Sequence, residues 1–298
     1  MPNDVNQSRV QPVPASALDA GRARLRVLLE GPLDLPPLSP ASAAIANMAA
    51  DSNGNAVQLA QLVQQDPAVA ANVMRVANSA AFAPRAPIVS LSQAIGWLGM
   101  AEIQAIAFSA AVRGKLFTGR SDAEVFSSLW RAAVATACWC REVARLKKGG
   151  VELAYLCGLL HRIGRPLIVR ALSSLPPAEA ARLTAPERTR LIEEFELDAG
   201  RALASAWSLP EAVVSCIAAW RDESGEAERT ESAAPWISQI WQVRLGQALA
   251  ARMLDGAGPL AIDQDLGPCC EALGIYPEEA DRLLQREQTI RNALDALA

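Results

Sequence analysis

The chain has 298 residues, 51% of them hydrophobic and 20% charged, with a formal net charge of −4. That apolar content excludes disorder over most of the length, and the length favours two subdomains over one small core. The negative balance argues against general nucleic-acid binding, and no apolar run approaches the ~18–20 residues that span a bilayer. Alanine and leucine dominate while Tyr, Phe and Thr are few, a bias toward helix. Residues 1–14 are polar and proline-bearing with no hydrophobic signal core, so a cytoplasmic location is expected. The six cysteines form no CxxC spacing and read as free thiols of a reducing compartment.

Along the chain, residues 1–32 read as a flexible leader, with a short helix open over 20–29. Asp66-Pro67 starts a helix: the carboxylate caps free amides, and proline in the first turn loses no hydrogen bond. Val69, Val73, Met74, Val76 and Ala77 form its apolar stripe. Ser90 caps the next helix, which carries Ile95, Trp97 and Leu98 and stops at Gly99. A further helix is expected over 102–117, a break at 119–121, and the longest helix over 122–148. Gly149-Gly150 ends that helix, with Arg145, Lys147 and Lys148 placed against its C-terminal dipole.

Helices over 151–163 and from Pro166 follow. Short helices are expected at 177–183 and 186–195, then a separate one over 199–207 capped by Asp198. Pro210 opens another to Trp220, and 221–234 reads as a charged loop. The tail holds a helix at 235–254, a short segment near 269–273 and one amphipathic helix over 277–297. Trp236 and Trp241 are placed to seal the tail against the main body. Trp97, Trp130 and Trp207 lie on apolar stripes, and Trp139 also reads as core. The expected fold is all-α, with two helical subdomains and a C-terminal helical extension. Its expected divisions are a leader over 1–32, an N-terminal helical subdomain over 33–120, a second subdomain over 121–232 and the extension over 233–298.

Two stretches carry chemical information. Between residues 129 and 170 eight basic residues face only Glu142 and Glu152. Arg141, Arg145, Lys147 and Lys148 are therefore candidates for an exposed surface that meets an anion or an acidic partner, the alternative being a solvated helix face. His161 is the single histidine, in the run Leu159-Leu160-His161-Arg162-Ile163-Gly164. One imidazole beside a guanidinium cannot hold a divalent ion, which needs three or more convergent His or carboxylate ligands. No metal or other cofactor is expected.

The run Leu35-Pro36-Pro37-Leu38, then Asp66-Pro67-Ala68-Val69-Ala70, Arg75-Val76-Ala77-Asn78-Ser79-Ala80, Val89-Ser90, Ala94-Ile95 and Leu98-Gly99 resembles the HDOD family. HDOD domains are HD-related output domains of bacterial signalling proteins. The stretch 156–164 resembles the HD helix of metal-dependent phosphohydrolases, with Arg162 where those enzymes carry Asp. The resemblance covers about residues 33–232, and 235–298 match no known pattern. It further implies that Ala132 stands near the first metal-binding His, Glu196 near a later one, and Trp220 and Arg221 at a final His pair.

The resemblance points to a non-catalytic regulatory module acting through protein–protein interaction, with gating by a small ligand left open. The partners it implies are signalling proteins such as cyclic-dinucleotide enzymes, kinases or transcription regulators, and neither a membrane nor nucleic acid. A nucleotide or other anionic-ligand binder using the basic helices is the alternative, ahead of a residual phosphohydrolase. Arg162 is expected to enter the former metal pocket and pair with Glu196, or with Glu194 or Asp198. The groove between the subdomains, rather than that pocket, is the expected working surface.

Overall fold

A computed structural model describes residues 17–30, 37–50, 55–119, 122–221, 236–256, 260–262 and 265–297, and these hold helices and no strand. The expected leader over 1–16, the Leu35-Pro36 pair and residues 222–234 of the expected loop lie outside the described residues, as does Pro235 at the start of the expected tail helix. Helix α1 is Ala17–Glu30, α2 Pro40–Met48, α3 Ala56–Gln64, α4 Pro67–Ala77, α5 Leu91–Leu98 and α6 Met100–Leu116. Then come α7 Ala123–Leu146, α8 Val151–Leu160, α9 Gly164–Ser173, α10 Pro177–Ala180, α11 Ala185–Ala206 and α12 Glu211–Ala219. The C-terminal helices are α13 Ile237–Asp255, α14 Gly267–Leu273, α15 Pro277–Leu284 and α16 Glu287–Leu297. No single helix among the described residues is long and apolar enough to cross a membrane.

The local start signals work as their chemistry requires. The Asp66 carboxylate accepts from the amides of Ala68 and Val69, and Ser90 accepts from Gln93. Helix α4 then buries Val69, Val73, Val76 and Ala77 against α6. Gly99, with φ of +85°, takes the conformation that lets α5 end and α6 begin at once.

Helix α7 is the central column. Every residue from Val134 to Ala144 is buried, because α8 and α13 pack on it from different sides and α16 from another. Helix α8 comes close enough that a Cβ on Gly158 would lie 2.8 Å from Ala137 Cα. One hydrophobic core runs from Ile45 to Leu297, and a smaller one joins α1, α9 and α11.

Residues 17–30 are not leader: Leu25 is buried, and the Arg22 guanidinium donates to Glu194 at 2.7 and 3.0 Å, docking α1 on α11. Residues 185–206 form one helix, not two; Thr184 and Glu187 make the capping box, and Asp198 lies exposed within the helix rather than at its start. The amphipathic tail divides into α15 and α16 at 285–286. Trp97 is half exposed, donating its indole N–H to Phe82 O at 3.2 Å.

The extension closes the molecule rather than hanging from it. At the end of α16, Leu297 O accepts from Trp130 Nε1 at 3.0 Å and Arg113 at 3.2 Å, and Ala296 O accepts from Arg75 at 3.3 Å. These donors meet carbonyls that a helix end leaves without intrahelical partners. Residues from α4, α6 and α7 thus clamp the last turn of the chain.

Candidate functional site

Arg141, expected on the surface, is buried: its guanidinium donates to Glu102 Oε2 at 2.6 Å and lies over the Tyr155 ring. Burial opposes the charge, but Glu102 more than offsets it, so the Arg141 pKa is raised above its ordinary value. Arg145 bonds Glu142, which also accepts from Arg286 at 3.0 Å. Lys147 donates to Gly274 O at 2.7 Å and sits 3.6 Å from Glu279. Lys148 remains exposed. The basic excess of α7 therefore serves mainly to fasten α6 and the C-terminal helices, and the four candidates do not form one free patch.

The second set of candidates converges. His161 closes α8 and is buried at 4% exposure, with its Nδ1–H donating to Gly158 O at 2.8 Å. Burial first, and then the Arg162 charge, push its pKa down to about 3, so the ring is neutral. With Nδ1 as the donor, Nε2 is a lone-pair acceptor, and it has no protein partner. The imidazole and the Trp220 ring meet edge to face, centroids 5.0 Å apart. Arg162 and Arg221 lie over the same indole, at 4.9 and 5.4 Å from its centroid.

Glu196 is buried on α11 and gathers three guanidiniums. Arg162 Nη2 donates to both carboxylate oxygens at 3.1 Å, Arg221 reaches Oε1 at 3.1 Å, and Arg165 stands 3.9 Å from Oε2. Glu194 is engaged with Arg22 instead. What places Glu196 here is the contact of α9 with α11. A Cβ on Gly164 would overlap Glu196 O and lie 2.5 Å from Gly200 N, so only glycine permits this approach.

Beside this cluster lies a cavity of about 160 Å³. Phe117, Ala132, Ala133, Leu159, Pro166, Ala250 and Ala251 supply its apolar wall; Ser128, Thr136, His161, Arg162, Arg165 and Gln247 supply its polar groups. Ala132, His161 and Arg162 thus face one space, and Glu196 backs it. Trp220 and Arg221 join through their contacts with Arg162 and Glu196. Sequence reasoning counted Arg165 only as a charge and, although it expected the helix that is α13, gave that helix no part in the site. The spacing of Arg162 and Arg165 on adjacent turns was the available signal for the first; nothing local marks Gln247, Ala250 or Ala251.

No group of three His, Cys, Asp or Glu side chains among the described residues comes together in a way that could hold a metal ion. Here one neutral imidazole and one carboxylate stand among three cations, and Glu196 already accepts from Arg162 and Arg221. This donor set does not fit a catalytic divalent ion.

The HDOD domain model matches residues 35–222. The chain belongs to the HDOD family. An uncharacterized protein of Treponema pallidum (strain Nichols) is 27% identical over 206 residues, which are 66% of this chain but only 38% of that relative. Among solved structures, a protein of Shewanella amazonensis SB2B provisionally described as a phosphohydrolase superposes with a TM-score of 0.67 at 22% identity, covering 93% of this chain and 98% of its own. An HDOD domain protein with unknown function from Geobacter sulfurreducens gives 0.64 at 20% identity, covering 94% and 98%. One from Marinobacter aquaeolei VT8, provisionally described as a signal transduction protein, gives 0.67 at 20% identity, covering 96% and 67%. Coverage of 93–96% of this chain extends the shared HDOD fold past residue 222 into the C-terminal helices.

Proposed function

We propose that this HDOD protein is a non-catalytic regulatory module of a signalling system that acts by binding partner proteins. The observation that carries the reading is the Arg162–Glu196–Arg221 cluster, which stands where the HD resemblance puts metal ligands. Metal-assisted phosphoester hydrolysis needs a cation to activate water and to neutralise developing charge. Three guanidiniums around one buried carboxylate repel that cation and occupy its only acidic ligand. The family's place among signalling output domains, and the Marinobacter relative, support a regulatory role.

The test is direct. The full chain, supplied with Mn²⁺, Fe²⁺ or Zn²⁺, is expected to hydrolyse phosphomonoesters and cyclic dinucleotides no faster than buffer. Metal-dependent turnover that disappears in His161→Ala would overturn the reading. Co-purification from the native host then identifies the partner class: a cyclic-dinucleotide enzyme, a kinase or a transcription regulator. A second reading, an anionic-ligand binder, is favoured by the guanidiniums that line the cavity, and not by the α7 residues first suspected.

A further inference from the structure

Five elements meet around the cavity: the end of α6, the middle of α7, the α8–α9 corner, the first turn of α9, and α13. None of the lining residues is acidic. Two of them are arginines whose donors are incompletely used. Arg165 makes only its 3.9 Å ion contact with Glu196, and Arg162 keeps a buried Nε–H with no partner. Buried donors are rarely left unpaired, because each forfeits its hydration without return.

Arg162, Arg165 and Arg221 meet Glu196 and, at the rim, Glu193, which lies 3.9 Å from Arg221. His161 is neutral and adds nothing, so one positive charge is left over. Burial and the neighbouring guanidiniums Arg165 and Arg221 lower the Arg162 pKa despite Glu196. The cluster as it stands is short of negative charge.

The apolar wall fixes the rest of the occupant. An apolar cavity of ~150 Å³ accepts a benzene ring, and this one has about 160 Å³. Alanine at 132, 133, 250 and 251 leaves that space open between α7 and α13.

We propose that this cavity binds a small monocarboxylic acid with a compact, ring-sized apolar body, its carboxylate held by Arg162 and Arg165. The body lies between α7 and α13, so that the ligand ties the C-terminal helices to the α8–α9 corner. This deepens the regulatory reading and rests on it: such a ligand is the small molecule that would gate the module.

Calorimetric titration of the full chain tests it, with benzoate, cyclohexanecarboxylate and isovalerate as probes, benzamide as the uncharged match and phenyl phosphate as the dianion. At least one carboxylate is expected to saturate below about 5 mM, the range open to a ligand of roughly ten non-hydrogen atoms. Phenyl phosphate is expected to bind no more tightly than benzoate, because its second negative charge exceeds the one positive charge left over. Benzamide is expected to bind at least about ten-fold more weakly, the loss of one charge-assisted hydrogen bond. Arg165→Gln, which removes no hydrogen bond within the protein, should weaken the carboxylate by the same factor at unchanged Tm. Ala132→Leu should block it sterically, and serves if the first variant misfolds. Failure of all three acids to saturate, equal binding of benzamide, tighter binding of phenyl phosphate, or indifference to both variants overturns the proposal. Because the readout is binding, its failure is separate from any phosphoester turnover, which would overturn the non-catalytic reading instead.

Discussion

Replacing Gly164 with alanine tests the contact on which the site depends. The added Cβ would overlap Glu196 O and lie 2.5 Å from Gly200 N and 2.9 Å from Glu196 C. All three are backbone atoms of α11, so no rotamer change relieves the clash, and α9 must move away by about 1 Å or more to restore van der Waals distance. That shift unpacks Leu167, Ile168 and Leu172 from the smaller core and stretches the 3.1 Å Arg162–Glu196 hydrogen bonds beyond range. Overpacking by one carbon costs ~1–3 kcal/mol, and the lost core contact and polar pair bring the expected total to about 3–5 kcal/mol. Gly96 is the control: it is an exposed helical glycine, and a Cβ there meets nothing within 4 Å. Gly96→Ala should stabilise by up to ~1 kcal/mol through helix propensity. Urea unfolding followed by circular dichroism gives both numbers. If Gly164→Ala unfolds within about 0.5 kcal/mol of the parent, α9 and α11 do not meet as closely as described, and the placement of Glu196 fails with them.

Arg141→Ala removes the only hydrogen-bonded cation of Glu102, buried at 7% exposure, leaving it Arg145 at 3.9 Å, and is expected to cost ~3–5 kcal/mol, whereas Arg162→Ala leaves Glu196 hydrogen-bonded to Arg221 at 3.1 Å and should cost about 1–2 kcal/mol; equal costs in urea unfolding would refute this order. His161, with a folded pKa of about 3 against 6.5 unfolded, lets the unfolded chain take up a proton first as pH falls, so stability is lost from about pH 6.5 downward. Between pH 6.5 and 5 the protein should lose about 2 kcal/mol that His161→Gln does not lose, and parallel pH profiles would contradict the neutral, buried imidazole. Arg145→Glu sets a carboxylate beside Glu142 and Glu102 and should lower Tm, while exposed Lys148→Glu should leave it within the range of ordinary surface changes. A fall in Tm for Lys148→Glu as large as for Arg145→Glu would show that net charge, and not these ion pairs, governs.

By itself the sequence determined what is local. The alanine- and leucine-rich composition specified helix, and Asp66, Ser90 and Gly99 marked boundaries because a cap acts on amides two or three residues away. The lone His161 followed by Arg162 also established that the usual metal ligands are missing, since a chain cannot coordinate with residues it lacks. Glu196 was legible only through a family resemblance. Asp198 misled because a residue type that caps a helix start is equally tolerated on an exposed helix face, where no amide is free for it to cap.

Only the tertiary structure decided which charges are buried and which residues share a cavity. Helix α7 is buried on every side from Val134 to Ala144, so no apolar stripe distinguishes an inner face from an outer one, and Arg141 looks like a surface residue until Glu102 is beside it. Arg162, Glu196 and Arg221 are far apart in sequence, and their meeting depends on α9 lying against α11 at a glycine. The wall of the cavity contributed by α13 comes from alanines that carry no local signal at all. Pairing and packing energies belong to groups brought together by the fold, and their magnitude depends on burial, which no window of sequence contains.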